Sequence, residues 1–117
     1  MHRSDVRVQL KDLLWALREE LQQADMWDAE APSAKALKST QPFAYDTLEF
    51  YQWLQFIFIP TLKEQIDKKK PLPSRLEVSP MAEESWRGNL RKTRQVILVL
   101  RKIDALFGTS ATGKRQQ

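Results

Sequence analysis

The sequence predicts an all-α fold, a compact antiparallel four-helix bundle with one short helix and a kinked central helix. Apolar residues recur at helical spacing in three long stretches, with charged residues between them. Capping residues and prolines stand where helices should begin. At 117 residues the chain is expected to be a single domain over residues 1–107, able to bury enough apolar surface to fold alone.

Val6, Leu10, Leu13, Leu14, Leu17, Leu21 and Ala24 define the first helix, expected over about residues 5–24 with Ser4 as its N-cap. Trp15 and Val8 lie on a second, lesser stripe. Residues 28–41 turn to Ala, Ser, Pro, Lys and Thr without an apolar period, and read as a loop.

Asp46 followed by Glu49 fits a capping box, so the central helix should start there and run to about Lys68. Phe50, Leu54, Ile57, Phe58, Thr61, Leu62 and Ile66 make a wide apolar arc, with Trp53 and Phe56 flanking its narrow polar edge. So broad an arc predicts contact with two or more neighbours. Residues 56–59 also suit a strand by composition, but the capping signal and the length of the pattern favour helix. Pro60 falls inside the pattern, where it removes a donor and crowds the preceding turn. A kink near residues 56–60 follows.

Lys68, Lys69 and Lys70 precede Pro71, which stops the helix. Cations suit a helix C-terminus; phosphate contact is the functional alternative for this run. Ser79-Pro80 then reads as a cap with Pro at the first helical position, opening a short helix to about Arg87. Gly88-Asn89 is a turn. The last helix is expected to run to about Phe107 and to bury Leu90, Thr93, Val96, Ile97, Leu100, Ile103 and Phe107, with Gly108 as its C-cap. Residues 108–117 lack apolar anchors and are expected to be disordered. Asp104 falls in the apolar arc of the last helix, where a carboxylate needs hydrogen bonds or a cation. An Arg from another helix is the expected partner.

The charge is uneven. Residues 1–67 carry seven Lys or Arg against eleven Asp or Glu, a balance of −4; residues 68–117 carry twelve against four, a balance of +8. Either the two halves attract each other, or the basic half meets an acidic partner such as RNA. Arg91, Arg94, Arg101 and Lys102 fall on one side of the last helix, interrupted by Leu98, and are the candidate phosphate contacts together with Lys68, Lys69 and Lys70.

Enzyme chemistry finds little footing. His2 is the sole histidine, there is no cysteine, and three glycines cannot build a phosphate loop. No metal or other cofactor is expected. The start of the sequence does not read as a signal peptide, so none is expected; the longest apolar run is far too short to span a bilayer, and a cytoplasmic, non-membrane protein is expected. Seven of the eleven aromatic residues lie within residues 39–60. Their crowding marks a core or a contact surface. Ser39, Thr40, Gln41, Phe43 and Asp46, at the entry to that segment, form the candidate interaction loop. Exposure of Trp15, Trp86 or Leu98 would point to a homodimer.

The blocks Ser39-Thr40-Gln41-Pro42-Phe43, Asp46-Thr47, Trp53-Leu54-Gln55 and Ile59-Pro60, with Pro71-Leu72-Pro73 and Ile103-Asp104-Ala105-Leu106-Phe107 later on, resemble the YqcC-like family of small bacterial proteins. The resemblance covers nearly all of Val6 to Phe107. It implies a compact helical bundle, and it supplies no activity, cofactor or catalytic residue. Members encoded beside a tRNA pseudouridine synthase hint at a partnership in RNA modification. The expected function is a non-enzymatic binding module for a protein or small ligand. The alternative is an RNA-associated accessory protein using the basic face of the last helix.

Overall fold

The computed structural model describes residues 6–107; the expected cap Ser4, the sole histidine, the cap Gly108 and the tail 108–117 lie outside the described residues. The fold is an all-α compact bundle with a kinked central helix, and no strand occurs among the described residues. Helix α1 (Val6–Gln23) buries Leu10, Leu14, Leu17 and Leu21 along one stripe. Each of these contributes roughly 2 kcal/mol of apolar burial. The stripe packs on the last helix and on the second half of the central helix.

After α1 the chain turns sharply. Asp25 adopts a left-handed φ of 63°, while Met26 N–H donates to Leu21 O at 2.8 Å and Asp25 N–H to Gln22 O at 3.1 Å. This is a Schellman turn, which satisfies carbonyls that the helix end leaves open. The expected loop beyond it contains one turn of helix, α2 (Ala34–Leu37), because the Ser33 hydroxyl accepts from Ala36 N–H at 3.1 Å.

The central helix starts later than Asp46. Its N-cap is Glu49, whose N–H donates to Gln52 Oε1 at 2.9 Å. Asp46 is drawn away instead, accepting from the Ser39 hydroxyl at 2.5 Å. Three pieces follow without a break: α3 (Phe50–Trp53), a π-helical turn (Leu54–Phe58) and α4 (Ile59–Asp67). The expected kink thus takes the form of a π turn. Ile59 N–H reaches back five residues to Leu54 O, and Pro60 follows where its missing donor and bulky ring meet a loosened turn.

The lysine run ends α4 as a second Schellman turn. Lys69 takes a φ of 55°, Lys70 N–H donates to Gln65 O at 2.9 Å and Lys69 N–H to Ile66 O at 3.2 Å. Arg7 of α1 adds its guanidinium to the Gln65 and Lys70 carbonyls at 3.2 and 2.9 Å.

Helix α5 (Ser79–Ser85) begins one residue before the expected start, and Ser79 is not its cap. Asp104 of α6 (Leu90–Leu106) performs that role from across the bundle. Its two carboxylate oxygens accept from Val78 N–H at 2.9 Å, Ser79 N–H at 2.8 Å and the Ser79 hydroxyl at 2.8 Å. The expected arginine is therefore replaced, in these bonds, by backbone donors at a helix N-terminus, where a negative charge is favoured. Gly88 joins α5 to α6 with a φ of 95°, a conformation that suits glycine.

Candidate functional site

The candidate loop is largely occupied with itself. Ser39 donates to Asp46, and its oxygen also accepts Gln41 N–H at 3.1 Å. Thr47 clasps the far side of the loop, donating to Ala36 O at 2.7 Å. Thr40 and Gln41 are exposed. Phe43 is the exception. It turns inward, with its ring centroid 4.8 Å from that of Trp53 and 5.9 Å from that of Phe50. To do so Phe43 and then Ala44 both take left-handed φ, 56° and 50°, which costs a non-glycine residue energy.

Phe43 forms one wall of a hollow of about 300 Å³. Trp53 and Phe58, stacked at 5.2 Å, form another, and the connection through Leu76 and Val78 covers it. Gln65 lines the same hollow, and its Oε1 is a buried acceptor with no hydrogen-bond partner. Arg75 and Glu77, paired with each other, stand among the lining residues.

A larger groove of about 820 Å³ lies between α1 and α4. Its polar–aromatic centre is Arg18, with its guanidinium carbon 5.3 Å from the Trp15 ring and 5.4 Å from the Trp27 ring. Trp15 is 60% exposed, whereas Trp86 is in the core and Leu98 half-buried. Trp27 was hidden from pattern reading because it follows a helix end and belongs to no period.

Next along the chain from Trp27, Asp28 joins a polar clasp with the central helix. Gln55, buried in the π turn, donates to Asp28 O and accepts from Asp28 N–H, both at 2.8 Å. The Asp28 carboxylate accepts from the Tyr51 hydroxyl and from Gln52 Nε2, both at 2.9 Å. The Tyr51 phenol is raised above its ordinary pKa, first by that hydrogen bond, then by burial and the charges of Asp28 and Glu49.

The basic candidates divide. Lys68 and Lys70 pair with Glu64 at 3.3 Å, and Lys69 holds the helix-ending turn. These contacts keep the exposed Glu64 carboxyl below its usual range. Arg101 grips Glu83 at 2.6 Å. Arg91, Arg94 and Lys102 are exposed on α6 and join no ion pair among the described residues. No described ion pair ties the acidic front of the chain to the basic helix α6. Among the described ion pairs, those that cross from one half to the other join Glu64 to Lys68 and Lys70.

No cluster of metal-ligating residues and no helix long and apolar enough to cross a membrane occurs among the described residues. A family model described as tRNA pseudouridine synthase C matches residues 9–106. The chain is 36% identical to the protein YqcC of Escherichia coli over 92% of its own length and 94% of that protein's. It is 31% identical to a Haemophilus influenzae protein over 90% and 98% of the two chains. A Pectobacterium carotovorum protein named tRNA pseudouridine synthase C is 30% identical over 82% of this chain, but the matched part is only 24% of that protein. The solution structure of E. coli YqcC superposes with a TM-score of 0.79 at 30% identity, covering 97% of each chain. With that agreement in sequence and in fold, this chain belongs to the YqcC-like family of bacterial proteins.

Proposed function

We propose that the protein is a non-catalytic accessory module of tRNA pseudouridylation that contacts tRNA phosphates through the outer face of α6. The observation that carries this reading is the Pectobacterium relative. There, a region like this chain makes up 24% of a protein named tRNA pseudouridine synthase C, so the bundle shares a polypeptide with a further and larger part. Arg91, Arg94 and Lys102 support it, since they are exposed and their charge is not spent on carboxylates among the described residues. Such a module would act in the cytoplasm, where tRNA is modified.

Three phosphate contacts would give log K a slope of about −3 against log salt. The test is fluorescence anisotropy of an unmodified tRNA transcript across a salt series. The double reversal Arg91→Glu with Arg94→Glu should flatten the slope and weaken binding by about tenfold or more, whereas Lys11→Glu, at the groove between α1 and α4, should do much less. An affinity that ignores the double reversal sinks the reading.

A further inference from the structure

The outer face of α1 carries the two most exposed apolar side chains of that helix, Trp15 at 60% and Val8 at 56%. They stand seven residues apart, and exposed Gln22 continues the same line. Large apolar groups in line on the outside of one helix mark a contact surface. Trp15 is also held ready for contact. The guanidinium carbon of Arg18 lies 5.3 Å from its ring centroid and 5.4 Å from that of Trp27, which restrains the indole before anything arrives.

Charge on the two flanks of this line specifies what covers it. At about 100° per residue, Lys11 and Arg18 fall about 40° and 60° to one side of Trp15, and Asp12 and Glu19 about 60° and 40° to the other. All four are exposed, and none joins an ion pair among the described residues. One flank is therefore basic and the other acidic. A two-fold axis parallel to α1 sets the basic flank of each copy against the acidic flank of the other. Lys11 then faces the partner's Asp12, Arg18 faces the partner's Glu19, and each pair occurs twice. An antiparallel pairing would instead oppose like charges on both flanks, which is unfavourable.

We propose that a second copy of this chain covers this face, α1 lying parallel to α1 about a two-fold axis, with Trp15 packed on Trp15 at the centre. A large aromatic ringed by polar neighbours is the usual energetic centre of an interface. The exposed charges add modestly to affinity and mainly set direction and choice of partner. This face goes beyond the α6 reading and does not depend on it.

Sedimentation equilibrium of the full chain over a concentration series should give a mass that rises from 13.7 kDa toward twice that value. Trp15→Ala, at an exposed position, should weaken association about thirtyfold or more. Reversal of either flank, Lys11→Glu with Arg18→Glu or Asp12→Lys with Glu19→Lys, should leave monomers. Mixing the two reversed proteins should restore a dimer, because every facing pair is then of opposite sign. Direction is read by cross-linking, since the chain has no cysteine of its own. Gln22→Cys should form a disulfide-linked dimer under mild oxidation; an antiparallel pair centred on Trp15 would hold those positions about 21 Å apart along the helix. A monomer at every concentration overturns the proposal. So does a dimer indifferent to Trp15→Ala, a mixture of the reversed proteins that stays monomeric, or an absent Gln22→Cys link. The Arg91→Glu, Arg94→Glu protein should dimerise unchanged, which keeps a failure here separate from a failure of the α6 face.

Discussion

Asp104 and Gln65 are both polar side chains set into apolar surroundings, and both lie against the 71–78 connection. Asp104 is a charge, yet it accepts three hydrogen bonds from Val78 and Ser79 and so fixes where the connection enters α5. Gln65 is neutral, lies beneath the middle of that connection, and leaves its Oε1 without a donor. Buried charge is the costlier group to leave unsatisfied, and here it is the one fully served. The contrast separates a polar group that the fold serves in full from one that it leaves as a local cost.

The strongest way to break the contrast is Asp104→Ala. It strands two amides and a hydroxyl in the interior and should cost about 3 kcal/mol or more in a urea melt. Asp104→Asn keeps one acceptor oxygen and should lie between. A loss under about 1 kcal/mol would mean that water replaces the carboxylate and that the node is no anchor. The second test has the opposite sign. Gln65→Leu removes an unsatisfied acceptor while keeping most of the volume, so the protein should gain about 1 kcal/mol. A comparable loss would show that Gln65 is a structural residue like Asp104.

The third and smallest effect probes the Asp28 clasp as a reference for a satisfied network. The Tyr51 pKa is raised in the folded protein, so its neutral form is the one folding favours. The stability from that preference is complete below the unfolded value of about 10 and is lost as pH rises through the folded value. Tyr51→Phe should therefore flatten part of the alkaline fall in stability above about pH 10, while changing the neutral-pH value by about 1 kcal/mol or less. Identical alkaline profiles for the two proteins would remove Tyr51 from the network.

The same contrast explains what was legible. The Leu10–Leu21 stripe, the end of the central helix at the lysines and the burial of Asp104 all follow from period and composition, which are local properties. The partner of Asp104 does not, because it is backbone some 25 residues away, and amides carry no sequence identity. Asp46 showed the weakness of a capping motif. The same spacing serves either a helix start or a loop clasp, and Ser39 seven residues earlier decides between them. Phe43 was visible as an aromatic in a polar loop. Its left-handed backbone was not, since glycine or asparagine is the usual signal for that conformation. The hollow is built by three distant segments, so no window of sequence contains it.

The π turn carries a final consequence. On an unbroken α-helix each residue advances about 100°, and Ile59, Leu62 and Ile66 would drift round to the side away from Phe50 and Leu54. The wide apolar arc read from the sequence is largely this drift. The π turn takes up about one extra residue and winds the phase back by about that angle. Ile59 and Leu62 return to the core with Phe50 and Leu54, and all four are buried. The central helix thus works as a vernier, two short scales offset by one step: deleting one residue from Leu54–Phe58 would only tighten the π turn to α, whereas tightening it with all five residues kept would misalign everything beyond it.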